Sequence, residues 1–188
     1  MMVVLSASGK VRASMKTEVT YGNIVAQPDV DAIVNSANAN LRFGSGVAGA
    51  IHTAAGRELE AYCRPFAPLP LGGALITPGF NLPNKWVIHV RSAHYLNDDN
   101  PGHFMQLAIE SMLRVGGENN VRSIAIPAIG IGVFKFPIAL AAQITALALA
   151  KASTLAPCLE LVRVCVANPE LIAAYQSSIA LVGLENGP

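Results

Sequence analysis

The segment DAIVNSANANLRFGSGVAGAIH, residues 31–52, joins a strand-like run to a helical pattern through a loop rich in asparagine and glycine. Within it, GSGVAG at 44–49 has the letters of the G-x-G-x-x-G fingerprint. A dinucleotide-binding turn places its first glycine directly after the strand and an acidic residue about 20 residues further on. Here SANANLRF separates Asn35 from Gly44, and the next strand-like region, GGALITPG, carries no acid. The segment therefore predicts a phosphate-binding loop at a strand-to-helix junction, but not a nicotinamide dinucleotide site.

Strand-like and helical segments alternate along the rest of the chain. The strand-like runs are VVLS near 3–6, KTEVTY at 16–21, DAIVN at 31–35, ALIT at 74–77, KWVIHV at 85–90, SIAIPA at 123–128 and LELVRVCVA at 159–167. The helical patterns cover 47–63, 103–115, 137–152 and 169–181. This order predicts a single α/β domain over residues 1–188 with a largely parallel sheet. Because no helical pattern separates the first strands, we expect an antiparallel addition there, and a frayed tail after Gly183.

Composition and charge narrow the functional class. The chain is 52% hydrophobic and 13% charged, which favours a sheet buried on both faces. A net charge of +1 argues against nucleic acid as a partner. The apolar stretch 137–156 is interrupted by Gln143, Thr145 and Lys151, so it predicts a buried helix and not a membrane span.

Cysteine and histidine usage predicts neither disulfides nor a metal. The three cysteines lack C-x-x-C spacing, and the four histidines lack the spacing of metal sites. The N-terminus has no basic leader followed by a long apolar core, so we expect no signal peptide. Together these features predict a cytoplasmic protein with reduced thiols.

A second glycine-rich loop, AIGIGVFKFP at 128–137, also follows a strand and leads into a helical pattern. Ligands of open α/β sheets bind at the carboxyl ends of the strands, where such loops expose backbone N–H groups. Two opposed loops of this kind suit a pyrophosphate. Asn35, Asn38 and Asn40 precede the first loop, and their amides could bond ribose hydroxyls, although asparagine is also common in turns and caps.

Five segments together resemble the macrodomain family, of the bacterial stand-alone type. They are YGNIV at 21–25, DAIVNSAN at 31–38, GSGVAGAIH at 44–52, LPNKWVIHV at 82–90 and SIAIPAIGIGVF at 123–134. The resemblance implies a three-layer α/β/α sandwich around a mixed sheet of six or seven strands. It also implies ADP-ribose as a ligand, held without any cofactor or metal.

The resemblance further implies which residues contact ADP-ribose. Adenine would lie near Asn23, Ile24, Ala167 and Asn168, and the distal ribose near Asn38 and Asn40. The diphosphate would lie between two loops, one comprising Gly44, Ser45, Gly46, Val47 and Ala48, the other Ala128, Gly130, Ile131, Gly132, Val133 and Phe134.

Two positions depart from the family pattern. Asn23 stands where members carry an adenine-binding aspartate, and Ala48 stands where many hydrolytic members carry an acid. Some viral members that also lack this acid carry a histidine where this chain has Phe43. An alanine can neither accept a proton nor orient a water molecule. No residue is therefore assigned as catalytic, and Asn38 and Asn40 are the remaining candidates.

Three functions stay open at this point. The first is binding of ADP-ribose, free or as a mono-ADP-ribosyl modification of a protein, by a monomer. The second is an ADP-ribosyl hydrolase or O-acetyl-ADP-ribose deacetylase whose activity is weak or substrate-assisted. The third, binding of RNA or poly-ADP-ribose, is disfavoured for RNA by the near-neutral charge.

Overall fold

The computed structural model describes residues 15–184 and shows a six-stranded sheet between two layers of helices. The strands are β1 Lys16–Tyr21, β2 Ala32–Ser36, β3 Ala74–Pro78, β4 Trp86–Val90, β5 Ser123–Pro127 and β6 Leu161–Val166. The helices are α1 Gly46–Ala55, α2 Arg57–Cys63, α3 Pro101–Glu118, α4 Ile138–Leu149, α5 Ala152–Leu155 and α6 Glu170–Leu181, with a 3₁₀ turn at Arg64–Phe66. The predicted α/β/α architecture with a mixed sheet is confirmed.

The strands follow the order β1-β6-β5-β2-β4-β3, and every neighbouring pair is parallel except β3 with β4. The expectation of an antiparallel addition at the front of the chain is wrong for β1, which runs parallel to β6 along its whole length. The antiparallel strand is β3, because the connection from β3 to β4 spans only 79–85, too short for a crossover between parallel strands. The predicted strand near 3–6 lies outside the described residues.

Both faces of the sheet are covered. Helices α3, α4 and α6 pack together on one face, and α1 and α2 lie on the other. In β2, Ala32 and Val34 belong to the core beneath α3, α4 and α6, and Ile33 belongs to the core beneath α1 and α2. The reason is that successive side chains of a strand point to opposite faces of the sheet. Burial on both faces of the sheet explains the continuous apolar runs in the strands and the high proportion of hydrophobic residues.

One helical pattern, residues 47–63, is divided into α1 and α2. The break falls at Gly56, whose φ of 89° is in the region that favours glycine. A Cβ at this position would lie 2.7 Å from the Asn81 Nδ2 atom. The break allows α2 to turn away from α1 and leaves a corner between the two helices. The pattern at 137–152 corresponds to α4, and only its last residue, Ala152, falls in α5.

A row of buried, hydrogen-bonded polar side chains runs across β2, β4 and β3 on the face of the sheet that α1 and α2 cover. His89 is fully buried in β4, and its Nδ1 atom lies 3.0 Å from Asn35 Nδ2 while its Nε2 atom lies 3.2 Å from Thr77 Oγ1. Burial lowers the pKa of His89 to about 3, so the ring is neutral at physiological pH. Asn35, considered above as a ribose-binding amide, is 1% exposed and belongs to this buried row instead.

The predictions about thiols, metals and membranes can be compared with the part of the chain that is described. Cys63, Cys158 and Cys165 are all free. Within residues 15–184 no three His, Cys, Asp or Glu side chains are grouped as they would be around a metal ion. None of the described helices combines the length and apolarity that a membrane crossing requires.

Candidate functional site

A cleft of about 680 Å³ opens at the carboxyl ends of β1, β5 and β6. It is lined by Tyr21, Gly22, Asn23, Ile24, Gly46, Val47, Ala50, Pro127, Ala128, Ile131, Gly132, Cys165, Ala167, Asn168 and Leu171. The position is the one expected for a ligand site in an open α/β sheet. The volume lies within the range of small-molecule sites, about 300–1,000 Å³.

The described residues that line the cleft include no charged side chain. Helix α1 begins at the cleft with Gly46 and Val47. Its N-cap residue, Ser45, makes no side-chain hydrogen bond to the helix, and the first turn holds no acidic residue. The first N–H groups of α1 therefore need partners, and the helix dipole favours an anion there.

The second glycine-rich loop faces this helix end across the cleft. Gly132 has a φ of 83°, and a Cβ on it would meet no atom within 4 Å, so this side of the residue faces open space. The turn is closed by the Lys135 N–H, which donates to the Gly132 carbonyl at 3.2 Å. Gly130 is different, because it is buried and a Cβ there would lie 2.9 Å from the Phe136 ring. Gly132 and Ile131, together with Ala128 at the start of the loop, are thus the part of the loop that a ligand can approach.

The other end of the cleft is formed by two short turns. Asn23 Oδ1 accepts a hydrogen bond from the Val25 N–H at 3.2 Å, which fixes the turn after β1. No residue in the range 15–184 accepts a hydrogen bond from the Asn23 amide nitrogen, which leaves it available to a ligand. Asn168 Oδ1 accepts a hydrogen bond from the Glu170 N–H at 3.0 Å, which fixes the turn that leads into α6.

The structure brings together only part of the predicted set. Residues that were predicted and that line the cleft are Asn23, Ile24, Gly46, Val47, Ala128, Ile131, Gly132, Ala167 and Asn168. Residues that were predicted and that do not line it are Asn38, Asn40, Gly44, Ser45, Ala48, Gly130, Val133 and Phe134. Contact of either group with a ligand stays a prediction.

Several lining residues were not predicted: Tyr21, Gly22, Ala50, Pro127, Cys165 and Leu171. Tyr21, Pro127 and Cys165 lie at or next to the ends of strands, so the carboxyl-end rule could have indicated them. Burial raises the pKa of the Cys165 thiol, which keeps it protonated and a poor nucleophile.

The Asn38 side chain is used within its own loop. Its Oδ1 atom accepts from the N–H groups of Asn40 and Arg42 at 3.1 and 3.2 Å, and its Nδ2 atom donates to the Arg42 carbonyl at 2.8 Å. These three bonds shape the segment that leads into α1. Asn38 therefore helps to position the start of α1, which is the turn-forming role considered as the alternative to ribose contact.

Ala48 is not among the residues that line the cleft. The residue is 6% exposed, and a Cβ added to Gly44 would lie 3.5 Å from the Ala48 Cβ. No carboxylate or imidazole is among the described residues lining the cleft. The described lining therefore offers mainly backbone and amide groups to a ligand.

Comparison with known proteins agrees with this fold. The profile of the Macro domain family matches residues 34–145. A Macro domain-containing protein of Lactiplantibacillus plantarum is 40% identical over 131 residues, covering 69% of this chain and 76% of that protein. Human ADP-ribose glycohydrolase MACROD2 is 41% identical over 133 residues, covering 69% of this chain but 31% of that protein. The chain thus corresponds to less than a third of the human relative's length.

A solved structure shows the same arrangement. The Oceanobacillus iheyensis macrodomain with ADP superposes with a TM-score of 0.79 at 29% identity, covering 87% of this chain and 90% of that one. The chain belongs to the Macro domain family.

Proposed function

We propose that the protein binds ADP-ribose in the cleft, either free or as a mono-ADP-ribosyl group on another protein. The observation that carries the proposal is the uncharged cleft bounded by the uncapped start of α1 on one side and the Gly132 turn on the other. Backbone N–H groups at such a position suit a diphosphate. The family relatives support the ligand, since one structural neighbour holds ADP and one relative is named an ADP-ribose glycohydrolase.

In the proposed complex the diphosphate lies between the first N–H groups of α1 and the Ile131–Gly132 turn. The adenine lies at the opposite end of the cleft, among Asn23, Ile24 and Ala167. The ligand needs no metal or organic cofactor. The cytoplasmic location and the monomeric state predicted from the sequence are kept as part of this proposal.

A substitution at Asn23 tests the proposed position of adenine. With Asn23 Oδ1 occupied by the Val25 N–H, the free amide nitrogen can only donate a hydrogen bond, whereas the adenine amino group needs an acceptor. Asn23→Asp would keep one oxygen on the turn and offer the other to the base. We expect calorimetric titration to show tighter ADP-ribose binding by about 1 kcal/mol, several-fold in affinity. Equal or weaker binding by the variant would show that adenine does not meet Asn23.

Hydrolysis of the ADP-ribosyl bond, or deacetylation of O-acetyl-ADP-ribose, is the second candidate. It is favoured by the identity to a glycohydrolase, and it is opposed by the absence of any carboxylate or imidazole among the described lining residues. Water activation would have to come from the ligand's own diphosphate. Incubation with a mono-ADP-ribosylated protein, followed by measurement of the modification over time, separates the two functions. Binding without turnover supports the first function, and turnover supports the second.

A further inference from the structure

A second pocket, of about 500 Å³, lies at the corner where α1 meets α2. It is lined by Phe43, His52, Thr53, Gly56, Arg57, Glu60, Ala61 and Arg64. None of these residues lines the ADP-ribose cleft, although both sites border α1. The second pocket differs in character, because four of its lining side chains are titratable and two of these are arginines.

The two arginines have no carboxylate partner among the described residues. Arg57 and Arg64 are exposed, and neither lies within 4.0 Å of an acidic oxygen. They are seven residues apart, about two helical turns, which places them on the same side of α2 and its 3₁₀ extension. By contrast, Arg114, Arg122 and Arg163 are each paired with acidic side chains. The guanidinium groups at the pocket are therefore available to an external anion.

His52 supplies an independent sign of a ligand. The side chain is 5% exposed, it lines the pocket, and its Nε2 atom has no hydrogen-bond partner in the described part of the chain. Burial lowers the pKa of His52, so the ring is neutral near pH 7. A buried polar atom without a partner is costly and rare in native proteins. A ligand group in the pocket would offset this cost.

The acidic residue in the pocket is already used. Glu60 Oε2 accepts a hydrogen bond from the Phe43 N–H at 2.9 Å and so ties α2 to the loop before α1. The pocket lining therefore contains two positively charged guanidinium groups and one carboxylate, which is already hydrogen-bonded, and the neutral His52 adds no charge. The pocket carries a net positive charge.

We propose that this pocket binds a single oxyanion, a phosphate or carboxylate group, between Arg57 and Arg64. The planar guanidinium fork matches the oxygens of either group. The Thr53 hydroxyl and the His52 ring supply the neutral hydrogen bonds on the helix α1 side. The oxyanion belongs either to a free phosphate or to an acidic side chain of a polypeptide. The site is separate from ADP-ribose binding and does not depend on it.

Backbone amide NMR of the whole chain tests the proposal at constant ionic strength. One arm titrates inorganic phosphate, and the other titrates a short peptide rich in Asp and Glu, with its Asn and Gln counterpart as the neutral control. The variants are Arg57→Gln/Arg64→Gln, which removes the fork, and Arg42→Gln, which removes a nearby exposed charge that does not line the pocket. Because all three arginines are exposed, we expect the variants to fold, and their spectra report this directly.

We expect saturable shifts at residues 52–64 with phosphate, with the acidic peptide, or with both. The apparent Kd should rise at least tenfold in the double variant and stay within about twofold in Arg42→Gln. Response to phosphate alone identifies a small-anion site, and response to the acidic peptide alone identifies a polypeptide partner. The proposal is overturned if neither probe gives saturable shifts or if the neutral peptide binds as well as the acidic one. It is also overturned if Arg42→Gln weakens binding as much as the double variant does.

Discussion

Replacing Gly132 with alanine tests the position of the diphosphate. The residue lines the cleft, and a Cβ added to it would point into space that is empty within 4 Å. In the proposed complex that space is taken by the ligand. The methyl group should therefore hold the diphosphate away from the backbone N–H groups of the turn, while leaving the packing of the protein unchanged.

The expected magnitude has two separate parts. An alanine at a φ of 83° costs about 1 kcal/mol of folding stability, because left-handed backbone is unfavourable for a residue with a Cβ. Loss of one hydrogen bond to a charged group costs about 1.5–3 kcal/mol of binding free energy. At 1.4 kcal/mol for each factor of ten, this predicts roughly a ten- to hundredfold weaker affinity for ADP-ribose.

Gly183→Ala is the matched control. Gly183 has a φ of 74° and an equally open Cβ position, but it follows the far end of α6 and does not line the cleft. Urea unfolding should show similar losses of stability for the two variants. Isothermal titration with ADP-ribose should show weaker binding for Gly132→Ala alone. Wild-type affinity in Gly132→Ala, or equal weakening in both variants, would refute the assignment of the diphosphate to this turn.

Three further outcomes follow from the site and the core. Because the described lining of the cleft has no charged side chain, the Kd for ADP-ribose should change less than about threefold between 50 and 300 mM NaCl; a steeper change would indicate an ionic contact. Asn38→Ala removes the three hydrogen bonds that shape the loop before α1, so calorimetry should show affinity reduced by about 1–2 kcal/mol, with amide exchange faster over 38–42. Unchanged exchange with lost affinity would instead indicate direct ribose contact. His89 has a pKa of about 3 in the fold and an ordinary value near 6.5 when unfolded, so below pH 6.5 the unfolded state binds a proton that the folded state does not. The free energy of unfolding, measured by urea titration, should have its full value above pH 7 and be about 2 kcal/mol lower at pH 5. His89→Gln should remove most of this pH dependence.

Local spacing was enough to predict the framework. The alternation of strand-like and helical runs gave the α/β class, and the two glycine-rich segments at strand-to-helix junctions marked the cleft. These features depend on short-range periodicity and on the preference of helix N-termini for anions, both of which are visible in a few consecutive residues. The family resemblance named Gly46, Val47, Ile131 and Gly132 within these loops, and all four line the cleft.

The direction of a strand and the exposure of a loop glycine depended on contacts with other segments of the chain. Gly130 and Gly132 look alike in the sequence, yet packing against Phe136 buries the first and leaves the second open. The parallel direction of β1 follows from its pairing with β6, near the other end of the described chain.

The sequence by itself determined the family, the sheet-and-helix order and the two loops, because each is encoded in neighbouring residues. Only the tertiary structure decided that Asn38 bonds within its loop and that Ala48 does not line the cleft. It also decided that His52 Nε2 and the side chains of two arginines of the same pocket have no partner for a hydrogen bond or an ion pair among residues 15–184. The physical reason is that a side chain's partners are set by the packing of α1 against α2 and the sheet. Elements that are far apart in the sequence meet there, and no local pattern records which atoms face one another.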